Sequence, residues 1–101
     1  AVELAERAYS IDSQSAPISD TLGWLLVRRG KKADLTRAIQ LLQFAASTQD
    51  APEHHFHLGA AHAAAGSRDV ALAALGRALR SGKPFSGRSD AERLQRELSH
   101  K

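Results

Sequence analysis

The 101-residue chain has no cysteine, no methionine, three prolines and one tryptophan. Without cysteine there is no disulfide framework, no thiolate nucleophile and no zinc ribbon, and either redox compartment remains open. β-Branched residues are few while alanine and leucine abound, a balance that favours helices over strands. Apolar runs such as Leu22 to Val27 fall far short of the roughly 20 residues that span a bilayer. The first residues do not read as a signal peptide. Fourteen Lys and Arg against eleven Asp and Glu give a formal charge of +3, too small a bias to argue for nucleic acid by itself. One local excess, "RRGKK" from Arg28 to Lys32, has the composition of a solvated helix end, where cations suit the C-terminal dipole.

What the sequence does contain is an internal repeat. "DTLGWLLVRRG" (Asp20 to Gly30) superposes on "FHLGAAHAAAG" (Phe56 to Gly66), with Leu22-Gly23 on Leu58-Gly59 and Gly30 on Gly66, all at an offset of 36. Each reads as a helix closed by a glycine in the left-handed conformation. Downstream, "AIQLLQFAAS" (Ala38 to Ser47) superposes on "ALAALGRALR" (Ala71 to Arg80) at an offset of 33, which makes these the second helices of two hairpins. The difference between the offsets is a three-residue insertion at the first hairpin's turn.

"AERAYSID" (Ala5 to Asp12) resembles a second helix in kind, with Ala1, Leu4, Ala5 and Ala8 spaced along one face. Because a repeat buries its apolar face only against neighbours, this pattern leads us to expect a fragment of a longer array, with self-association through the open N-terminal end. Near the other end, "SGKPF" breaks the chain and "SDAERLQREL" (Ser89 to Leu98) offers an N-cap serine, Glu92 at the capping-box spacing and a Leu94, Leu98 stripe. It reads as a solvating cap helix. The spacing predicts helices near 1–11, 16–29, 34–48, 52–65, 68–81 and 89–99 within a single domain: 1–13 the second helix of a partial repeat, 16–49 and 52–83 two repeats, and 88–101 the cap.

Leu22-Gly23, Gly30, Ala38 and Ala45, repeated as Leu58-Gly59, Gly66, Ala71 and Ala78, resemble tetratricopeptide repeats. The resemblance covers nearly the whole chain and implies an all-α superhelix of stacked antiparallel hairpins. Three positions depart from the family pattern: Trp24 follows the Leu-Gly pair, His62 takes the usual tyrosine place, and Ser13 replaces the usual proline. More narrowly, "DTLGWLLVRRG", "HLGAAHAAAG" and "SGKPF" before a terminal helix are similar to the C-terminal end of bacterial tetratricopeptide lipoproteins that accompany PEP-CTERM and exosortase exopolysaccharide loci. That likeness implies a periplasmic or membrane-anchored scaffold without catalytic residues.

"HHFHLGAAHAAAG" (His54 to Gly66) holds four histidines, which raises the question of a metal. On a helix they divide between two faces instead of converging. His55 and His62 are expected to pack against the partner helix. His54 and His57 with Glu53 form the weaker, metal-binding alternative, because two imidazoles leave most of a coordination shell to water. No cofactor is expected. Catalytic arrangements are equally thin: nothing orients His57 toward Ser47 or Ser67, Asp20 and Glu53 lie on different hairpins, and "RRGKKAD" lacks the P-loop spacing.

What remains is a surface for a partner. First helices of stacked hairpins share one concave side, so Asp20, Trp24 and Arg28 are expected to face the same groove as Phe56, His57 and Ala60. The expected function is a non-catalytic protein or peptide scaffold with no small-molecule substrate. For Trp24, core packing and groove exposure are evenly balanced. Nucleic-acid binding through Arg28, Arg29, Lys31 and Lys32 is the disfavoured alternative, and a structural extension of an enzyme elsewhere in the parent chain is another.

Overall fold

The computed structural model describes residues 1–100, so Lys101, at the end of the expected 88–101 segment, lies outside the described residues. It is all-helical: α1 (Val2–Ile11), α2 (Ala16–Arg29), α3 (Leu35–Thr48), α4 (Pro52–Ala64), α5 (Arg68–Arg80) and α6 (Arg88–Ser99), with no strand among the described residues.

Local chemistry explains most of the boundaries. Ser15 caps α2 by accepting from the Ile18 amide at 3.2 Å, and Pro17 occupies the first turn, where its missing N–H costs nothing. Gly30 and Gly66, at φ 80° and 85°, turn the chain out of α2 and α4 in the left-handed region. The extra residues of the first hairpin's turn form a short 3₁₀ segment, Lys32–Asp34, fastened by an Arg29–Asp34 ion pair at 2.7 Å. At the last helix the structure departs from expectation. Ser89 is not the cap: α6 begins at Arg88 after Gly87, without a side-chain cap, and Glu92 lies 3.6 Å from Arg88. The backbone at Gly87 rests on the ring of Phe56, and this tertiary contact places the helix cap two residues before the local serine signal.

The repeat is visible as a repeated steric fit. A Cβ on Gly23 would sit 2.7 Å from Leu42 Cγ and 3.2 Å from the Ala38 carbonyl oxygen. On Gly59 it would sit 2.9 Å from Leu75 Cγ and 3.2 Å from the Ala71 carbonyl oxygen. The first-helix glycines are 36 residues apart and their partners 33 apart, so the two offsets in the sequence are two copies of one helix–helix contact.

Packing follows chain order. The α2–α3 and α4–α5 hairpins stack through α3 against α4, and the alternate helices α2, α4 and α6 also touch in succession. The core is a series of apolar clusters along the stack, not a single centre. Ala5, Leu22, Leu26, Ala38 and Leu41 fill the first; Leu42, Ala46, Leu58 and Ala61 the second; Phe56, Leu75, Ala78, Ala91 and Leu98 the third. The smallest dimension, 19 Å, is about two helix diameters. Buried Ser19 donates to the Leu41 carbonyl at 2.7 Å, and Glu6 holds Arg37 through two bonds of 2.6 and 2.9 Å that tie α1 to α3. The Arg37 guanidinium keeps the Glu6 carboxyl below its ordinary range. On α1, Ala5 is buried while Leu4 and Ile11 are exposed, so the helix turns only part of its apolar surface inward.

Candidate partner-binding groove

Asp20, Trp24 and Arg28 follow one another at intervals of four along α2, which aligns them on one stripe. The stripe meets α4 at His57. Both Asp20 carboxylate oxygens lie 2.9 Å from His57 Nδ1, and the two side chains are each 12% exposed. An ionised carboxylate only accepts, so Nδ1 carries the proton and donates. The His57 imidazole stacks on the Trp24 indole with centroids 4.1 Å apart and planes inclined by 17°. Phe56 tilts against both rings at 5.5 and 5.4 Å, and Phe85, ahead of α6, lies 6.4 Å from Phe56. The arrangement binds three parts of the chain together: α2, α4 and the segment leading into α6.

The open part is a cleft of about 320 Å³ lined by Trp24, Arg28, Phe56, His57, Ser86, Gly87 and Asp90. Four of the six expected groove residues therefore line one cleft, and Asp20 holds His57 from behind. Ala60, half-buried one turn beyond, contributes no polar group. The expected role of Phe56 needs correction, because it is 5% exposed and belongs to the core. A Cβ on Gly87 would come within 2.6 Å of its ring, so Phe56 is the covered floor of the cleft and not an anchor open to a partner. Asp20 likewise offers no free carboxylate. Trp24, half-buried, both packs against the core and borders the cleft, and Arg28 is exposed without an ion-pair partner among the described residues.

The other histidines serve the chain connections. His54 Nδ1 donates to the Gln49 carbonyl at 3.0 Å, and His55 Nε2 lies 2.6 Å from Asp50 Oδ1; both rings are buried and reach back to the loop before α4. The His55 bond lowers the Asp50 carboxyl below its ordinary value. His62 is half-buried, and burial pushes its imidazole below the usual range. The metal-binding alternative is not assembled, since His54 is bonded to the backbone at Gln49 while His57 is held by Asp20. In the basic turn Arg29 is engaged by Asp34, leaving Arg28, Lys31 and Lys32 exposed.

Two features of the cleft escaped the sequence reading. Asp20 and Phe56 are equivalent positions of the repeat, so His57 stands one residue past the equivalent of Asp20, and stacking of equivalent first helices brings the pair together. The offset carried that signal. Ser86, Gly87 and Asp90 had only a faint one, the glycine two residues after Phe85. Comparison with protein-family models, with curated proteins and with solved structures finds no match for this chain.

Proposed function

We propose that the chain is a tetratricopeptide-like module that acts as a non-catalytic scaffold, binding a protein or peptide segment in the cleft bordered by Trp24 and Arg28. The observation that carries this reading is the meeting of the half-buried indole and the unpaired guanidinium on neighbouring turns of α2, above a floor rigidified by Asp20–His57 and Phe56. An aromatic edge beside an arginine is the composition in which binding hot spots concentrate. The paired glycine contacts and the succession of α2, α4 and α6 support the repeat assignment. The likeness of "DTLGWLLVRRG" and "HLGAAHAAAG" to exosortase-associated lipoproteins supports a place in a bacterial exopolysaccharide or protein-sorting assembly on the periplasmic side. Arg28 would draw an acidic residue of the partner and set its approach.

The test is Trp24→Ala and Arg28→Glu, with partner capture and circular dichroism on the same samples. Trp24→Ala weakens capture by about 2 kcal/mol with helicity retained if the indole is a hot spot. If helicity is lost first, the indole is core and the reading fails.

A further inference from the structure

On the side of the molecule formed by α3 and α5, two further clefts run into each other. One, of about 500 Å³, lies between α3 and α5; Val70 and Ala73 are its exposed aliphatic lining, over a floor of buried Ala46, Leu58 and Ala74. The other, of about 360 Å³, is bordered by Arg77, Arg80 and Lys83 at the end of α5. Asp50, His55 and Arg77 line both, so the two form one groove, aliphatic at one end and cationic at the other.

The charge in this groove is only partly compensated. Arg77, Arg80 and Lys83 have no ion-pair partner among the described residues. Against these three cations stands one carboxylate, Asp50, which lies 2.6 Å from His55 and feels Arg77 and Lys83 only at longer range. Gly76 leaves the space beside which Arg80 lies, since a Cβ there would be 3.4 Å from Arg80 Nη1. At the aliphatic end Val70 is 51% exposed. A helix C-terminus alone accounts for cations near the last turn, but it does not account for an exposed valine and an aliphatic trough leading up to them.

We infer that this outer groove is a second binding site, separate from the Trp24 cleft, for an acidic peptide segment in which aliphatic side chains are followed by carboxylates. The aliphatic residues lie against Val70 and Ala73, the exposed apolar side chains of the cleft, and the carboxylates pair with Arg77, Arg80 and Lys83. A nucleic-acid strand fits less well: the cations are confined to one end, no exposed aromatic ring lines the groove as a stacking platform, the His55 imidazole being buried, and Asp50 sits at its middle.

The probe is a fluorescein-labelled synthetic peptide of two leucines followed by four glutamates, titrated by anisotropy at low salt against the full chain. Saturable binding is expected. Arg77→Glu, Lys83→Glu and Val70→Asp each weaken it roughly tenfold, and serine in place of the two leucines weakens it as well. Arg96→Glu makes the same charge change at an exposed position of α6 and leaves binding unaltered. Circular dichroism on each variant verifies that helicity is kept, and Arg77→Gln replaces Arg77→Glu if the latter unfolds. Absence of binding, an equal loss with Arg96→Glu, or displacement of the peptide by an equimolar single-stranded oligonucleotide would overturn the assignment. Trp24→Ala is read alongside, so failure of the concave cleft and failure of the outer groove are seen separately.

Discussion

The α2–α3 and α4–α5 hairpins solve the same packing problem and close it off differently. At their centres they agree: a glycine of the first helix faces a leucine side chain and an alanine carbonyl of the second, so closely that a Cβ on it would stand 2.7 and 3.2 Å from them in one hairpin and 2.9 and 3.2 Å in the other. Around that contact they diverge. Buried Ser19 bonds across its hairpin to the Leu41 carbonyl, whereas His55, the equivalent 36 residues on, bonds backwards to Asp50. Leu26 is 1% exposed in a cluster shared with α1, while its equivalent, His62, is half-buried with its imidazole shifted down by desolvation. The difference teaches that close approach of the paired helices defines the repeat, and that polar identity at the surrounding positions is free to vary as long as each buried donor finds an acceptor.

The largest effect is expected at the shared contact. Gly23→Ala and Gly59→Ala should each destabilise by about 1–3 kcal/mol through overpacking, despite the roughly 1 kcal/mol that alanine ordinarily adds to a helix interior. Gly23 should cost more, given its shorter approach to Leu42. Urea midpoints measure both, and a stabilised variant would show that the two helices do not meet there. Combining Gly23→Ala with Leu42→Ala should cost less than the sum of the single changes, since the leucine is the nearer obstacle.

Next come the turns. Gly30→Ala and Gly66→Ala should each cost about 1 kcal/mol, because both positions are left-handed and have no neighbour that a methyl could strike. Unequal costs would separate hairpins that this reading treats as alike.

The Leu26–His62 difference makes a pH prediction. Burial lowers the folded-state value of His62 below 6.5, so the unfolded chain takes up the proton first and stability falls as the pH drops below about 6.5. His62→Leu should remove that part of the acid slope in melting temperature and leave the first hairpin's behaviour in both. A slope unchanged by the substitution would mean that this imidazole carries no penalty. The smallest effect is expected for Asp34→Asn, which breaks the partly exposed Arg29 pair in the first turn and should cost under about 1 kcal/mol in thermal melts, less in high salt.

Helix ends were readable where their cause is local. Ser15, Pro17, Gly30, Pro52 and Gly66 act on the backbone beside them, and expected and observed bounds agree there within two residues. The start of α6 lies within one residue of the expected bound, but its cap was misread because the cause is remote: Ser89 and Glu92 have capping-box spacing, whereas the residue at the cap, Gly87, is held by a phenylalanine some thirty residues earlier. Phe56 was misjudged for the same reason, since periodicity puts it on the first-helix face and says nothing of the segment that later covers it. At the candidate site, the stripe of Asp20, Trp24 and Arg28 follows from spacing along one helix. The repeat offset brings His57 to the neighbourhood of Asp20, but the bond itself also depends on the rotation of one hairpin against the next, which composition and periodicity leave undetermined.

Trp24 is the chain's single tryptophan, and its closest ring partner belongs to the neighbouring hairpin. Its emission therefore reports on the seam between repeats, not on either hairpin's own helices. In a stack whose contacts run mainly between neighbours, unfolding need not be all-or-none. Denaturation followed by tryptophan emission and by far-ultraviolet dichroism would coincide if the seam melts with the helices. Emission changing first would mean that the hairpins part company before they lose their helices, and would give a direct measure of the coupling between neighbouring repeats.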